Sequence, residues 1–413
     1  MVGRFGLATL SVLCTLGSVG CASQSLRSAH ASNPGGSVAL RNAQGSRPSV
    51  APGRLLVRYL RAGGVYFEWY GQALMTAPFA SNYPIVSNRK LTRYRVRDQQ
   101  RRRGDPFRTL LDQRIQPNRA AIDFVLGREL RLDSVHALLV GHGHYDHLGD
   151  VPDLLRRKLP RATLYTNQSA QHMLAGEPHL AGRVVAVSGS SGWLPASASE
   201  ATSAIRFRAI RSGHAPNLYL LGQTFSWAPG AVDEPWSTPL SDHELDELKA
   251  GVSYAFLIDF LDPADPKRIA FRVHYQDAAS TPPEGYPPQE LLSERGVDLE
   301  VVSMPGREAL PPSRDRYPAG VLRHNRARHA LVIHYESFFH PVLDGERPAE
   351  VRLLDTLSGE PAEEFLDSVA RSVNATPCGP PLEVEGLKAA AFTVPLPGEW
   401  LLFDTAISNP GCD

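Results

Sequence analysis

The chain has 413 residues, 42% of them apolar, with 43 basic and 43 acidic side chains that leave a formal net charge of zero. This length and composition are those of a globular protein with a substantial core, in one large domain or two. Because the charges balance, we expect no nucleic-acid partner, and we expect any electrostatic specificity to be local.

The N-terminal segment departs from globular composition. Arg4 precedes an apolar stretch that is too short to span a bilayer and that ends in small residues, which is typical of an export signal over residues 1–20. Cys21 follows Gly20, as does the lipid-acceptor cysteine of bacterial lipoproteins. We therefore expect export to the bacterial cell envelope and a lipid anchor on Cys21 that binds the membrane, facing the periplasm or in the outer membrane. Plain secretion with cleavage nearby is the alternative.

Residues 21–53 are rich in serine, glycine, alanine and proline and have no apolar periodicity, which predicts a flexible tether. Order is expected from residue 54, where "LLVRYL" and "VYFEWYGQALMTAPF" indicate an opening β-meander. The arginine-rich segment 89–108 has no clear period. It is either a solvated surface or a patch that meets an anionic substrate or lipid headgroups.

Helical and extended patterns then alternate along the chain. Helices are predicted at "AAIDFVLGREL", "VPDLLRRKL" and "SAQHMLAG", and strands at "VHALLV" and "ATLYTN". Further strands are predicted at "RVVAV", "AIRFRAI", "VSYAFLIDF", "RIAFRVHY", "DLEVVSM" and "HALVIHY", with helices at "SDHELDELKA" and "PAEEFLDSVARSV". This alternation is typical of an α/β architecture.

The stretch "GHGHYDHLGD" places three histidines and an aspartate directly after the predicted strand "VHALLV". Imidazole and carboxylate both bind divalent metals. In a tight turn, residues two apart point the same way, so His142 and His144 are expected to share one ion and Asp146 and His147 to face a second. Gly143 suits such a turn because a residue without Cβ tolerates unusual backbone angles.

This HxHxDH pattern, with a strand before it and a helix after it, resembles the metallo-β-lactamase superfamily. Three later segments resemble the metal-binding segments of that superfamily in order and setting: "RSGHAPN" with His214, "RVHYQDAAS" with Asp277 and "ALVIHYESFF" with His334. The resemblance implies an αββα sandwich of two mixed sheets with flanking helices over residues 54–345. Residues 346–413 are then a C-terminal extension that packs on this domain. Its Cys378 and Cys412 suggest a disulfide in an oxidising compartment.

The resemblance also implies a dinuclear metal site. The first ion is expected on His142, His144 and His214 and the second on Asp146, His147 and His334, with Asp277 as the bridge. Zinc is the first expectation, and iron or manganese suits similar ligands. Two cations that share a water would leave hydroxide available as the nucleophile and would polarise the scissile bond, with Asp277 or a bound water protonating the leaving group.

The segments "GHAPN" and "HYESFF" look closest to the branch with N-acyl-phosphatidylethanolamine phospholipase D and L-ascorbate-6-phosphate lactonase. We therefore expect a metal-dependent hydrolase of a small molecule or lipid, with a phosphodiester or phospholipid-related substrate. A lactonase or other carboxylic ester or amide hydrolase is the alternative, and a noncatalytic metal-binding envelope lipoprotein is the alternative of another class. Ala77, in "MTAPF", departs from the superfamily, where an aspartate is frequent.

A few other residues have weaker claims on the site. Tyr145, Tyr335, Glu336 and His340 lie close enough to the predicted ligands in sequence to touch substrate, or else they support the ligands or pack in the core. His274 is expected to be a core histidine, and His243 is expected on a solvated helix face. A serine hydrolase is not supported, because the sequence has no GxSxG elbow.

Overall fold

The computed structural model describes residues 46–76, 78–81, 114–197, 203–215, 218–220, 223–225, 228–307, 310, 313, 315–336, 338, 341–349, 351, 362–374 and 392–405. The expected export signal, Cys21 and most of the tether lie outside these residues. So do the arginine-rich segment 89–108, Ala77 and both C-terminal cysteines, Cys378 and Cys412. The expectations for these parts of the chain stay predictions.

In chain order, the strands of the described ranges are β1 (Arg54–Arg61), β2 (Gly64–Trp69), β3 (Gln72–Thr76), β4 (Val135–Leu139), β5 (Thr163–Thr166), β6 (Val184–Ala186), β7 (Leu194–Pro195), β8 (Ile205–Ser212), β9 (Leu218–Leu220), β10 (Gln223–Phe225), β11 (Ser253–Asp262), β12 (Asp265–Gln276), β13 (Leu299–Ser303), β14 (His329–Ile333), β15 (Leu343–Asp344), β16 (Arg347–Pro348), β17 (Phe392–Thr393) and β18 (Trp400–Asp404).

The α-helices of the same ranges are α1 (Arg119–Leu126), α2 (Tyr145–Leu148), α3 (Val151–Arg157), α4 (Gln168–Met173), α5 (Gln289–Glu294), α6 (Ala319–Asn325) and α7 (Ala362–Asn374). Short 3₁₀ turns occupy Leu132–Ser134, Pro178–Leu180, Leu240–Asp242 and Leu245–Glu247. None of the helices in the described ranges is both long and apolar enough to cross a bilayer.

The strands form two seven-stranded sheets and two short hairpins. The first sheet has the order β18-β1-β2-β3-β4-β5-β6, and the second has the order β17-β14-β13-β12-β11-β8-β7. Each sheet is mixed. In the first, the pairs from β18 to β3 are antiparallel and those from β3 to β6 are parallel. In the second, β12, β13, β14 and β17 are parallel, whereas β11 is antiparallel to both β12 and β8.

The apolar core lies between the two sheets. Phe67 on β2 contacts Phe260 on β11 with ring centroids 5.9 Å apart, and Tyr165 on β5 contacts Phe207 on β8 at 4.8 Å. Successive residues of a strand point to opposite faces. The other face of the first sheet therefore packs on α1 to α4, as Tyr66 does in a second apolar cluster with the helical residue Leu154. The expected αββα sandwich of two mixed sheets is confirmed.

The C-terminal residues contribute a strand to each sheet. β18 pairs with β1, Leu402 lying opposite Leu56, and β17 pairs with β14, Phe392 lying opposite Ala330. The helix α7 contacts both β14 and β17. The described part of the C-terminal extension is thus hydrogen-bonded into the sandwich.

One predicted helix is wrong. The segment "SDHELDELKA" forms two separate 3₁₀ turns, and between them His243 has an extended backbone. This break lets the ring of His243 stack on Trp236 at a centroid distance of 3.5 Å. A new turn then begins at Glu244, whose side chain forms a capping box with Glu247. His243 is therefore packed on an aromatic ring and does not lie on a solvated helix face.

Candidate metal centre

The direction of the strands explains why distant polar residues meet. In the second sheet β8 runs parallel to β12 and β14, because β11 is antiparallel to β8 and to β12. His214, Asp277 and His334 follow the carboxyl ends of these three strands within one or two residues. In the first sheet His142 follows the carboxyl end of β4 by three residues. The carboxyl ends of parallel strands share one edge of a sheet, so the sheet topology collects these side chains.

All seven predicted ligand residues converge at this edge. Three overlapping groups have their nitrogen and oxygen atoms within 4.8 Å of one another. One group is His142, His144 and His214, which we call triad A; a second is Asp146, His147 and His334, which we call triad B; the third is His142, His147 and Asp277. The two triads are the two sets expected from the sequence. The role of these residues as ligands stays a prediction.

Asp277 lies between the triads. Its Oδ1 is 3.4 Å from Nδ1 of His142, and its Oδ2 is 3.5 Å from Nδ1 of His147. Within triad B, Oδ2 of Asp146 is 3.6 Å from Nε2 of His147 and 3.3 Å from Nε2 of His334. Asp277 thus presents one oxygen to each triad, which is the arrangement that the bridging prediction requires.

The nitrogen and oxygen atoms of the seven side chains suit divalent cations. Among the described residues, His142 Nδ1, His144 Nε2 and His147 Nδ1 are buried and have no hydrogen-bond partner. A nitrogen of a neutral imidazole that lacks hydrogen and a carboxylate oxygen are both acceptors, so they cannot satisfy one another, and leaving them buried is unfavourable. A cation of the zinc class satisfies nitrogen and oxygen acceptors together.

The electrostatics keep most of these imidazoles neutral. Burial, followed by the neighbouring His214, holds the pKa of His142 and of His144 well below the ordinary range, and burial also lowers the pKa of His214. Burial and His142 lower the pKa of His147 to about 3. Neutral imidazole is the form that binds a cation, so triad A is ready to bind without losing protons.

The pKa values of Asp146, Asp277 and His334 depend on neighbouring charges as well as on burial. Burial raises the pKa of Asp146, but His147 and His334 outweigh it, so the pKa of Asp146 lies well below its usual value. Burial lowers the pKa of His334, but the hydrogen bond and charge of Asp146 raise it more. Burial raises the pKa of Asp277, and His147 partly opposes this shift.

Two glycines allow residues 141–144, which we call the histidine loop, to lie close to their neighbours. A Cβ on Gly141 would come within 2.6 Å of Oδ1 of Asp277, and a Cβ on Gly143 would come within 2.4 Å of the Lys249 carbonyl oxygen. Gly143 does not have a positive φ. Close approach of the backbone, and not an unusual turn angle, is therefore the reason that a glycine is required there.

One ligand tautomer is set by the backbone. Nδ1 of His214 lies 2.6 Å from the carbonyl oxygen of Ala215, so this nitrogen carries the proton and Nε2 remains as the acceptor. His214 is also partly exposed, whereas the other six residues are buried. The loop that carries His214 therefore borders solvent.

Two residues that surround the seven predicted ligands, Tyr59 and Asp150, were not indicated by any sequence pattern. Tyr59, on β1, donates to Glu336 and accepts from the backbone N–H of His334. Asp150 accepts from the N–H groups of Ala80 and Ser81. These contacts join residues far apart in the chain, and no local pattern signals them.

The weaker candidates have varied surroundings. Glu336 and Tyr335 are buried, and Tyr335 donates to the carbonyl oxygen of Pro395, so both are bound within the protein. Tyr145 packs against Phe79 beneath the histidine loop. His340 lies outside the described residues. His274 is a core histidine, as expected, with Nδ1 2.6 Å from Oε1 of the buried Glu300.

Known proteins give only distant comparisons. No protein-family model matches the chain, and no curated protein matches it. Igni18, a metallo hydrolase from Ignicoccus hospitalis, is 11% identical over 85% of this chain and 98% of its own, with a TM-score of 0.43. The metallo-β-lactamase fold protein YhfI from Bacillus subtilis is 11% identical over 68% of this chain and 86% of its own, with a TM-score of 0.34.

A third solved structure is longer than this chain. CmlA, a diiron β-hydroxylase from Streptomyces venezuelae, is 15% identical over 85% of this chain and 54% of its own, with a TM-score of 0.42. The chain thus spans about half the length of that enzyme. With such low identities and TM-scores, the fold assignment rests on the two sheets of this chain, and its activity must be argued from its own residues.

We expect the metal-free protein to lose stability as the pH falls from 7 to 5. His142, His144, His147 and His214 have a lowered pKa when folded, so below about pH 6.5 the unfolded chain binds more protons than the folded chain. Each of them then lowers the free energy of unfolding by up to about 1.4 kcal/mol per pH unit. His334, Asp277 and Asp150 act in the opposite direction because their pKa values are raised, but they are fewer than the four histidines.

Urea denaturation at pH 7, 6 and 5 after treatment with EDTA measures this dependence. The same series at saturating zinc is the comparison, because bound zinc stabilises the folded state. A metal-free protein whose stability is constant or rises on acidification would contradict the electrostatics described above.

Proposed function

We propose that this chain is an exported, dinuclear metal-dependent hydrolase that acts on a phosphodiester or phospholipid-related substrate. The position of Asp277 carries the proposal, because its two oxygens face His142 at 3.4 Å and His147 at 3.5 Å, one imidazole from each triad. A carboxylate shared in this way suits two cations held close together.

In this proposal the two triads hold one cation each, and Asp277 contacts both. Zinc is the cation that we favour, and iron or manganese suits the same donors. When bound, two such cations supply Lewis acidity toward a phosphoryl or carbonyl oxygen and lower the pKa of water. Asp146 and Asp277 are the carboxylates available for proton transfer, and Asp277 is the one that lies between the two triads.

We propose that substrate approaches along the side of His214. His214 is the most exposed of the seven residues. It follows Arg211 by three residues, so the two Cα atoms lie within about 11 Å. Arg211 lines a groove of about 530 Å³, and so does Tyr254, whose backbone N–H donates to the Gly141 carbonyl oxygen at 2.9 Å. A residue that lines this groove thus contacts the histidine loop.

The chemistry of this groove supports an anionic substrate with an apolar part. Arg208 and Arg211 line it, and neither has an ion pair with any described residue. Guanidinium groups bind phosphate through paired hydrogen bonds. Val252 and the ring of Tyr254 supply apolar surface beside them. A phosphate ester that carries a hydrocarbon arm matches both features, and this favours a phosphodiester over a neutral ester.

We expect the purified protein to bind two divalent cations per chain and to hydrolyse bis-p-nitrophenyl phosphate faster than p-nitrophenyl esters or lactones. Asp146→Ala should lower kcat/KM by more than the roughly 10–100-fold loss typical of removing a group that only supports a ligand. His136→Gln is the matched control, because this histidine lies on β4 outside the three groups. Metal analysis and steady-state kinetics provide the measurements.

Each other result of this experiment has a defined meaning. Faster turnover of the lactones or esters would move the assignment to a carboxylic ester hydrolase. Bound metal without turnover on any of these substrates would favour the noncatalytic metal-binding protein. Absence of both metal and turnover would refute the hydrolase.

We expect Arg208→Gln and Arg211→Gln each to raise KM for an alkyl phosphodiester by roughly 10–150-fold, because a charge-assisted hydrogen bond contributes about 1.5–3 kcal/mol. The KM for a neutral ester with the same alkyl arm should not change. Arg161→Gln is the control, since this arginine does not line the groove. Equal effects on the charged and neutral substrates would show that the groove does not recognise phosphate.

The proposed location in the cell envelope depends on a lipid anchor at Cys21. We expect Cys21→Ala to release the protein from the membrane fraction of cells that export it, because removal of the acyl chains removes about 0.8 kcal/mol of membrane affinity per buried CH₂. Fractionation with an antibody against the C-terminal region measures the change, and Cys14→Ala is the control. If the Cys21→Ala protein stays with the membranes, the lipid anchor is refuted.

A further inference from the structure

His334 has an unusual backbone conformation. It follows β14 directly and has a φ of 58°, in the left-handed region that residues with a Cβ rarely adopt. In this conformation its Nε2 lies 3.3 Å from Oδ2 of Asp146, within triad B. A residue in this region needs contacts that stabilise its backbone.

The backbone N–H of His334 donates to the hydroxyl of Tyr59 at 2.9 Å. The same hydroxyl donates to Oε2 of Glu336 at 2.5 Å. A phenol has one hydrogen, so its donation to Glu336 leaves its oxygen lone pairs for the N–H of His334. Tyr59 is fully buried, and its ring stacks on Tyr335 with centroids 6.1 Å apart. Tyr59 thus contacts three successive residues, His334, Tyr335 and Glu336.

Glu336 extends this network to a second ligand residue. Its Oε1 accepts the backbone N–H of Ala62 at 2.5 Å. Ala62 lies in the turn between β1 and β2, where it has a φ of 48°. In the same turn a Cβ on Gly63 would come within 2.7 Å of Nδ1 of His147, so the turn borders the site directly. Glu336 therefore connects the backbone of His334 with the turn that packs on His147.

The position of Glu336 is that of a supporting group. It is 2% exposed, and each carboxylate oxygen accepts a hydrogen bond from the chain itself. The buried guanidinium of Arg61 interacts electrostatically with Glu336 and with Asp150. Both oxygens are thus bound by donors of the chain itself, which distinguishes Glu336 from Asp146 and Asp277.

We propose that Tyr59 and Glu336 are positioning residues that hold His334 in the left-handed conformation it needs to complete triad B. This proposal rests on the proposed metal function, because triad B is one of its two cation sites. It predicts that loss of the Tyr59–Glu336 pair damages triad B while triad A remains intact.

Tyr59→Phe and Glu336→Gln test the proposal. The first variant removes the acceptor of the His334 N–H. The second replaces one carboxylate oxygen with an NH₂ group, which then faces either the Tyr59 hydroxyl or the Ala62 N–H, and both of these are donors. Tyr66→Phe is the matched control, because Tyr66 is also buried and its hydroxyl donates to the carboxylate of Glu68 at 2.8 Å, remote from the ligands. Zinc titrations against a chromophoric chelator give the two dissociation constants, and urea denaturation gives the stability of each variant.

We expect both variants to bind the first zinc ion as wild type does and the second roughly 10–100-fold more weakly, the range for groups that support a metal ligand. Tyr66→Phe should leave both constants unchanged. Unchanged binding of the second ion by Tyr59→Phe would overturn the proposal. Equal weakening of both ions, with a larger loss of stability than in Tyr66→Phe, would also overturn it by showing a general structural role.

A second measurement does not depend on metal. Crystal structures of the EDTA-treated wild-type and Tyr59→Phe proteins report the φ of His334 and its distance from Asp146. We expect the left-handed conformation in wild type and its loss in the variant. If wild type binds fewer than two ions, the dinuclear function fails, whereas these structures still decide the role of Tyr59. An unchanged His334 in the variant would refute that role.

Discussion

The structure depends on a buried group of acceptors that have too few donors. His142, His144 and His147 each leave a nitrogen without a hydrogen-bond partner among the described residues, and Asp277 places its carboxylate between two of these rings. In most proteins such atoms are paired, because burying them unpaired is unfavourable. The apolar core between the sheets fixes strand register, and the register in turn forces these side chains together. The register that forms the sandwich therefore also brings together the unpaired acceptors that cations would satisfy.

Asp150 and Glu336 surround the site without belonging to the seven candidate ligands. Their role is to hold the backbone in place through hydrogen bonds. Asp150 follows the one-turn helix α2, which carries Asp146 and His147, and its Oδ2 accepts the N–H groups of Ala80 and Ser81. Burial raises the pKa of Asp150 to about 6. On the opposite side Glu336 performs a similar task. Each carboxylate ties a short ligand-bearing segment to a neighbouring loop, so the ligands are held from behind by hydrogen bonds.

The sequence predicted those features that short-range patterns determine. Alternating apolar residues located β1 to β3, and the HxHxDH spacing located triad B's aspartate and first histidine, because spacing within one turn is a local property. The network of Tyr59 and Glu336 was not predictable in this way, since 277 positions separate the two residues. The false helix at His243 has the same cause. Its local pattern is helical, but the backbone is extended at His243, whose ring stacks on Trp236 outside the predicted helix.

The C-terminal segment adds to the support of the site from a part of the chain that carries none of the seven residues. Tyr59 donates its backbone N–H to Glu399 and accepts from the N–H of Gly398, and Tyr335 donates its hydroxyl to the carbonyl oxygen of Pro395. These contacts fix the strand that carries Tyr59 and the residue that follows His334. Residues 395–399 are thus hydrogen-bonded both to Tyr59, which accepts the N–H of His334, and to Tyr335, which follows His334. The last of the seven candidate ligands is His334, but the hydrogen bonds that stabilise its position extend to the residues just before β18.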